Sequence, residues 1–222
     1  MRIDVFTIFP AIVQVPLGES LLGRAIEAGL LEVRVHDLRG WSTDRHRSVD
    51  DEAYGGGPGM VMKPEPFFAA VESLDPDRGR VLLLSPAGRR LDQAFVRDLA
   101  GEDHLTLLAG RYEGVDERVA EGLPAEEVSI GDYVLSGGEI PALVLIDAVA
   151  RLVPGVIGTA ESHERDSFAD PGALDHPHYT RPPEFRGLRV PEVLRSGDHA
   201  RIEEWRREAA RAKARRNRPD LG

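Results

Sequence analysis

Two absences limit what this 222-residue chain can be. It contains no cysteine, which excludes disulfide bonds, thiolate metal ligands and cysteine nucleophiles without revealing the cellular compartment. It has no run of about 18 apolar residues, and its first residues, MRIDVFTIFP, lack the cationic flank and apolar segment of a signal peptide. We therefore expect a cytoplasmic protein with neither a membrane span nor a secretory leader.

Acidic residues outnumber basic ones. The chain has 28 Lys and Arg residues against 38 Asp and Glu, a net charge of −10, which argues against nucleic-acid binding over the whole surface. The distribution is uneven, because residues 181–222 carry +5 and the remainder carries −15. The basic C-terminal region is compatible with a localised RNA-binding surface, although a solvent-exposed helix explains the same pattern.

Strand and helix patterns alternate through the first 158 residues, which predicts an α/β protein with a mostly parallel sheet. Apolar and polar residues alternate over 2–8, which predicts a strand that Pro10 and Pro16 should end. The pattern then predicts a helix over 20–28 and a strand over 31–35. The 41% hydrophobic content is sufficient for a core. Residues 159–183 are polar and proline-rich, so the first domain should end near Gly158. Asp198 should cap a last helix reaching about Arg216.

Residues 38–63 show no convincing period and are far longer than an ordinary connection. Four glycines surround Pro58 in this stretch. They could let the chain lie against a base or a partner subunit, or form a flexible linker, and the residues do not decide between these alternatives.

The chain is organised around residues 127–154, where a short strand, a loop with Gly137 and Gly138, and a long apolar helix follow one another. The two glycines allow positive φ and close approach of the backbone. Glu139 and Pro141 suit the first turn of the helix. Such a loop can hold an anion or a base edge, but similar loops occur where nothing binds. Its spacing is neither GxGxxG nor that of a P-loop.

Two more turns, residues 84–88 and 108–114, also follow apolar strands and precede helical patterns. The carboxyl ends of parallel strands lie at one edge of a sheet, where open α/β folds place their ligands. The three turns therefore predict a single crevice at that edge.

Four segments then carry a family resemblance: AYGGGPGMVM, GRYEGVDERV, SIGDYVLSGGEIPALVLIDAVARLVPG and DSFADPGALDHPHYTRP. They closely resemble bacterial tRNA (guanine-N1)-methyltransferases, which belong to the knotted SPOUT methyltransferases, and the resemblance runs from MRIDVFTIFP to the last helix. It implies methylation of N1 of the guanosine immediately 3′ of the anticodon (G37) in tRNA, with S-adenosylmethionine as donor. It also implies a homodimer with the active site at the subunit interface, a C-terminal trefoil knot, and assistance from Mg²⁺, whose position no Asp/Glu cluster in the sequence fixes.

The resemblance divides the chain into three functional parts. Residues 1–158 would form the S-adenosylmethionine-binding SPOUT domain with helices on both faces of its sheet. Residues 159–183 would form a linker that carries the catalytic aspartate, and residues 184–222 a small, basic, helical tRNA-binding domain. The last part has too few apolar residues to form a core alone.

Methylation at guanine N1 requires removal of the N1 proton and stabilisation of charge on O6. Asp166 matches the family's general base and Arg151 its catalytic arginine. Without the resemblance, Asp166 would be an ordinary loop carboxylate, and Arg151 would complement the dipole of a helix C-terminus.

The resemblance implies that main-chain groups of the three turns bind the cofactor. The matching positions are Leu84, Ser85, Pro86, Gly110, Tyr112, Glu113, Gly114, Ser129, Ile130, Gly131, Asp132, Tyr133, Val134, Leu135, Gly137, Gly138 and Pro141. Glu113 could face the sulfonium, face the target guanine, or hold Arg111. Positions expected to contact substrate RNA or complete the site are Tyr54, Gly57, Met60, Ser162, Asp175, His178, Tyr179 and Arg181.

Several alternatives remain open. Asp175, His176 and His178, with His163 nearby, could form a metal site, but a short loop spacing fixes no coordination geometry, and we assign no metal ligands. The linker is one residue longer than the family pattern between its DSF and PHYT motifs, so the resemblance does not fix the register near Asp175. A SPOUT enzyme with another RNA target and a noncatalytic RNA-binding protein are the main functional alternatives. A nicotinamide-dependent oxidoreductase lacks its glycine fingerprint.

Overall fold

The structure is a computed structural model that describes residues 1–158, 166–169 and 173–221. The chain contains two compact units, Met1–Gly158 and Thr159–Gly222. Among the described residues, no helix combines the length and apolar character needed to cross a membrane.

The first unit alternates strands and helices. Its strands are β1 (Arg2–Thr7), β2 (Glu32–Asp37), β3 (Asp50–Glu52), β4 (Met60–Met62), β5 (Arg80–Arg90), β6 (His104–Ala109) and β7 (Ala125–Ser129). Its helices are α1 (Pro10–Leu17), α2 (Ser20–Glu27), α3 (Pro64–Glu72), α4 (Gln93–Ala100), α5 (Arg118–Gly122) and α6 (Glu139–Ala150), and a 3-10 helix spans Leu38–Trp41.

Five of these strands form one sheet in the order β2-β1-β6-β5-β7, and all four neighbouring pairs are parallel. The predicted mostly parallel sheet is therefore confirmed. The central strand β6, HLTLLA, is buried along its whole length, as expected for a parallel strand covered on both faces.

Two hydrophobic cores cover the two faces of the sheet. On one face, Ile3 and Leu107 pack with apolar residues from α1, α2, α4 and α6. On the other face, Phe6 and Leu83 pack with residues from α3 and α5. Alternate residues of β1 thus enter different cores, because successive side chains of a strand point to opposite faces. Helices on both faces of the sheet, as predicted, are confirmed.

The segment after β1 differs from the sequence prediction. Pro10 and Pro16 were expected only to end the strand, but residues 10–17 form helix α1. Pro10 occupies the first turn, where its missing N–H costs nothing. Pro16 lies in the last turn, close enough to the end that the helix stops at Leu17 rather than kinking.

The long segment 38–63 contains structure that its sequence pattern did not predict. Strands β3 and β4 pair antiparallel, with Asp51 opposite Val61. Met60 O accepts a hydrogen bond from Glu113 N at 3.0 Å, and Met62 N donates one to Gly114 O at 2.9 Å. These three-residue strands are too short to produce a clear period, and main-chain contacts with the 110–114 turn hold β4 in place.

The second unit contains a two-stranded ribbon, β8 (Glu184–Phe185) with β9 (Leu188–Arg189), two 3-10 helices (Glu192–Arg195 and Pro219–Leu221), and helix α7 (His199–Asn217). The Asp198 side chain accepts a hydrogen bond from Arg201 N, so the predicted cap and final helix are confirmed. Every residue of α7 is at least partly exposed. Trp205 lies near Tyr179 and His176, with ring centroids 6.2 and 6.4 Å apart.

Candidate active site

The turns that follow β5, β6 and β7 meet around one cavity of about 330 Å³ at the carboxyl edge of the sheet, a volume within the usual range for small-molecule sites. All of the predicted cofactor-binding residues except Asp132 line it. The lining positions are Leu84, Ser85, Pro86, Gly110, Tyr112, Glu113, Gly114, Ser129, Ile130, Gly131, Tyr133, Val134, Leu135, Gly137, Gly138 and Pro141. Asp132 is exposed on the same loop.

The first turn is a bulge within β5. The pairing of β5 with β7 shifts between Leu84 and Arg89, so the intervening residues leave the regular ladder. A Cβ on Gly88 would lie 2.3 Å from backbone atoms of β7, so only glycine permits this approach. Ser85 Oγ accepts a hydrogen bond from Ala87 N at 3.2 Å. The bulge is therefore held by its own side chain and by contact with β7.

The second turn, residues 110–114, carries two residues with positive φ, Tyr112 at 60° and Gly114 at 138°. A non-glycine residue at positive φ is uncommon and is strained unless its surroundings hold it. Here Arg111 O accepts a hydrogen bond from Gly114 N, and β4 supports the turn through Glu113. The Tyr112 side chain remains half-exposed at the cavity.

The third turn joins the second through main-chain contacts. Gly138 N donates a hydrogen bond to Gly110 O at 2.9 Å, and Arg111 and Gly137 form an antiparallel bridge. The sequence analysis expected positive φ at Gly137 and Gly138. Gly138 has a φ of −81°, and Gly137 also lacks positive φ, so this part of the prediction is wrong. Instead, a Cβ on Gly138 would lie 2.7 Å from Ala109 Cα, and the close approach of two backbones requires glycine.

A buried ion pair, which the sequence analysis did not identify, lies beneath these two turns. Glu139, the first residue of α6, is 1% exposed. Arg111 Nε donates to its carboxylate at 3.0 and 3.1 Å, and Thr7 Oγ1 donates at 2.7 Å. The sequence analysis offered Glu113 as one possible partner of Arg111. In the structure, the partner of Arg111 is Glu139. Glu139 was expected only to favour the helix start, and its spacing gave no sign of these partners.

The predicted substrate-binding positions of the long segment, Tyr54, Gly57 and Met60, lie outside the cavity lining. Met60 reaches it indirectly, through the hydrogen bond from Glu113 N. Gly57 has a φ of 130°, and the Tyr54 side chain is 99% exposed. A fully exposed tyrosine is available to a partner or a nucleobase.

The two predicted catalytic residues lie in different units. Arg151 directly follows α6, is half-buried, and its N–H donates to Asp147 O at 3.2 Å. Asp166 belongs to the second unit, where its carbonyl accepts a hydrogen bond from Ala169 N at 3.0 Å. Ser162 and His163 lie outside the described residues.

The second unit brings Asp175, His176 and His178 together. His178 Nε2 lies 2.6 Å from Asp175 Oδ2, and His176 N donates to Asp175 Oδ1 at 2.7 Å. Burial would raise the pKa of Asp175, but the hydrogen bonds from the two histidines lower it below its ordinary value. The potential metal-ligating atoms of the three residues lie within 4.8 Å of one another.

Other predicted RNA contacts lie close to this group in sequence. Tyr179 is half-exposed and faces Trp205, while Arg181 is exposed. Lys213 Nζ of α7 donates to Asp175 O at 3.3 Å. Helix α7 is thereby tied to the segment that carries these residues.

A parallel α/β sheet with a cavity formed by the turns at its carboxyl edge is typical of proteins that bind a small organic ligand there.

Comparison with known proteins identifies the family. The chain matches the family described as tRNA (Guanine-1)-methyltransferase TrmD over residues 1–222, and it belongs to that family. It is 53% identical to the tRNA (guanine-N(1)-)-methyltransferase of Geobacter metallireducens, over 100% of this chain and 91% of that protein. The protein of the same name from Nocardia farcinica is 53% identical, over 100% of this chain and 96% of its own length. The predicted family and enzyme class are confirmed.

Proposed function

We propose that the chain transfers a methyl group from S-adenosylmethionine to N1 of the guanosine immediately 3′ of the anticodon, G37, in tRNA. The convergence of three glycine-bearing turns on one cavity, in a chain that matches the tRNA (guanine-1)-methyltransferase family along its whole length, carries this proposal.

The charge of the cavity favours this cofactor over a phosphate-bearing one. Four acidic residues line it, Glu113, Asp116, Glu117 and Glu127, against one basic residue, Arg111. Arg118 pairs with Asp116 at 2.7 Å, and Arg111 is occupied by Glu139. The remaining negative charge suits a ligand that carries a sulfonium and an ammonium group and opposes the phosphates of a nicotinamide dinucleotide.

The main chain of the turns supplies the rest of the fit. An adenine edge presents both donor and acceptor groups, which exposed backbone C=O and N–H groups of such turns can match. Leu84, Ile130 and Leu135 provide apolar surface in the same cavity. Bound S-adenosylmethionine supplies an electrophilic methyl group. The chain's own residues would orient that group and keep water away from it.

We assign the proton chemistry to Asp166 and Arg151. Asp166 would accept the proton from guanine N1, and the Arg151 guanidinium would stabilise the charge that collects on O6. We propose that the active site forms between two protomers of a homodimer, as the family resemblance implies, with the second unit of one protomer serving the cavity of the other. We also propose that the first unit contains a C-terminal trefoil knot and that Mg²⁺ assists the reaction.

The second unit would bind the tRNA. Residues 181–222 carry a net charge of +5 in a chain whose net charge is −10, and clustered Arg and Lys residues supply the phosphate contacts that RNA binding needs. Asp175, His178, Tyr179 and Arg181 are the candidate contacts of the linker, with Tyr54, Gly57 and Met60 from the first unit and Ser162, four positions before Asp166 in the sequence.

The test is methyl transfer by Asp166→Ala and Asp166→Asn to tRNA transcripts with guanosine or adenosine at position 37. Loss of a general base typically costs about 10²- to 10⁴-fold in rate, so both variants should lose turnover while equilibrium binding of labelled S-adenosylmethionine persists. A wild-type rate in Asp166→Ala would refute the base assignment.

Mass mapping of the methylated nucleotide tests the substrate. Methylation at N1 of G37 supports the proposal, whereas methylation elsewhere identifies a related SPOUT enzyme. A wild-type chain that binds tRNA but no S-adenosylmethionine would instead be a noncatalytic RNA-binding protein.

A further inference from the structure

Glu139 has an unusually complete set of partners for a residue outside the cavity lining. Both of its carboxylate oxygens receive hydrogen bonds from Arg111 Nε, and Oε1 also receives one from Thr7 Oγ1. The Thr7 hydroxyl donates to the carboxylate, which can only accept, and it also accepts a hydrogen bond from Phe9 N at 3.0 Å. Loss of any one of these partners would leave a buried polar group without a hydrogen bond, which is unfavourable.

Arg111 is fixed on two sides. Its guanidinium carbon lies 4.7 Å from the centre of the Phe9 ring, within range of a cation–π interaction. Its Nε faces Glu139, and its side chain is only 18% exposed. The arginine is therefore packed as part of the wall, while its backbone belongs to the turn that lines the cavity.

The ion pair also explains why position 137 is glycine. A Cβ on Gly137 would lie 2.4 Å from Arg111 Nε and 2.6 Å from Glu139 Oε2. Gly137 does not have positive φ, so the side chains beneath it, rather than its own backbone angle, exclude a larger residue. The pair thus fits directly under the turn that precedes α6.

Three separate segments meet at this pair. Thr7 ends β1, Arg111 belongs to the turn after β6, and Glu139 begins α6 after the turn that follows β7. The main-chain bridge between Arg111 and Gly137 joins the same two turns immediately above. Two of the three turns that form the cavity are therefore joined both by main-chain contacts and by a charge contact beneath them.

We propose that Glu139 and Thr7 are positioning residues for cofactor binding. Through Arg111 they hold the 110–114 turn against the 137–138 turn at the separation that S-adenosylmethionine requires. This inference rests on the proposed function, and it assigns to the cofactor site two residues that line no part of the cavity.

The experiment compares Glu139→Gln with wild type in cofactor affinity and steady-state kinetics. Glutamine keeps the shape but places an uncharged amide against Arg111. Displaced binding groups cost up to about 10²-fold, so we expect the Kd and KM for S-adenosylmethionine to rise about 10-fold or more. We expect kcat at saturating cofactor and tRNA affinity without cofactor to change much less.

Thr7 provides a matched pair of variants for the case in which Glu139→Gln folds poorly. Thr7→Val removes the hydroxyl at nearly constant volume, whereas Thr7→Ser retains it. Loss of one hydrogen bond corresponds to about a 2- to 10-fold change. Thr7→Val should weaken cofactor binding by that factor, and Thr7→Ser should restore wild-type affinity.

Asp4→Asn is the control, because it removes a buried carboxylate that has no contact with the turns of the cavity. Asp4 is 0% exposed and lies three residues before Thr7 on the same strand, but neither it nor its partners Arg2, His36 and His104 line the cavity. Asp4→Asn should lower stability and leave the cofactor Kd of the folded protein unchanged.

The inference is overturned if Glu139→Gln and Thr7→Val lower stability but their folded fractions bind S-adenosylmethionine with wild-type Kd and KM. Their role would then be purely structural, while the proposed methyl transfer would stand. A wild-type chain without affinity for S-adenosylmethionine would overturn the proposed function itself, and this inference with it.

Discussion

The sheet of the first unit contains a buried, charge-paired carboxylate near each end, and the two differ in what they join. Asp4, near the amino end of β1, contacts Arg2, His36 and His104. Glu139, beyond the carboxyl end, contacts Thr7 and Arg111. Both carboxylates are almost completely buried, so the chemistry of the two sites is similar.

The difference lies in the segments that each carboxylate connects. The partners of Asp4 belong to β1, β2 and β6, which are neighbours in the sheet and already share main-chain hydrogen bonds. Of the two partners of Glu139, Arg111 lies on a turn that lines the cavity, and Thr7 lies at the end of β1. The comparison predicts that loss of Asp4 mainly lowers stability, whereas loss of Glu139 also weakens cofactor binding.

The largest expected effect comes from Asp4→Asn, which disrupts the cluster of Asp4 with its three partners. Asp4→Asn leaves Arg2 and two histidines without their common ionic partner, and removal of one member of a buried charge pair typically costs about 3–5 kcal/mol. Chemical denaturation should show a loss of that size, while binding of S-adenosylmethionine to the folded protein is unchanged. A weakened cofactor affinity in Asp4→Asn would show that the Asp4 cluster influences the cavity, and Asp4 and Glu139 would then not differ in function.

Acid should produce a smaller loss through the same carboxylate. Burial acts to raise the pKa of Asp4, but hydrogen bonds from His36, Arg2 and His104 outweigh it and lower the pKa from 3.8 to about 2. Asp4 therefore stabilises the folded chain fully above about pH 4, and this stabilisation is lost as the pH falls towards 2. The difference corresponds to about 2 kcal/mol.

Denaturation measured at several pH values checks this expectation. The stability of the wild-type chain should fall more steeply between about pH 4 and pH 2 than that of Asp4→Asn, because the variant lacks the titrating group. Parallel curves for the two proteins would contradict the assignment.

The smallest expected effect comes from Asp92→Ala, which tests whether any destabilising substitution at the carboxyl edge of the sheet weakens cofactor binding. Asp92 Oδ1 accepts a hydrogen bond from Phe95 N at 2.8 Å and caps α4 beside the cavity-lining strand ends, but Asp92 does not line the cavity. Asp92→Ala should cost about 1 kcal/mol, as loss of an N-cap usually does, with no change in cofactor Kd. A change in Kd would mean that any destabilisation at this edge reaches the ligand.

Local patterns were sufficient for much of the scaffold. The alternation of apolar residues predicted the parallel strands, and Glu139 with Pro141 predicted the start of α6. Patterns failed where elements are short or depend on contacts distant in sequence. Helix α1 was obscured by Pro10 and Pro16, and the β3–β4 pair has only three residues on each strand.

The candidate site shows the same division. The motifs indicated which turns to examine, and those turns line one cavity. The reason for Gly137 and Gly138 was not predictable, because it lies in side chains and backbone of other segments rather than in their own φ angles. The roles of Asp166 and Arg151 stay predictions for the methyl-transfer assay.

By itself, the amino-acid sequence determined the family, the five strands of the parallel sheet, most of the helices, and the three glycine-bearing turns, because motifs, periodicity and capping are properties of neighbouring residues. Only the tertiary structure decided that Thr7 would meet Glu139, 132 positions away, and that Arg111 would pair with the same carboxylate. Such contacts depend on how the elements pack, and a buried charge takes whichever partners the packing brings within hydrogen-bond distance.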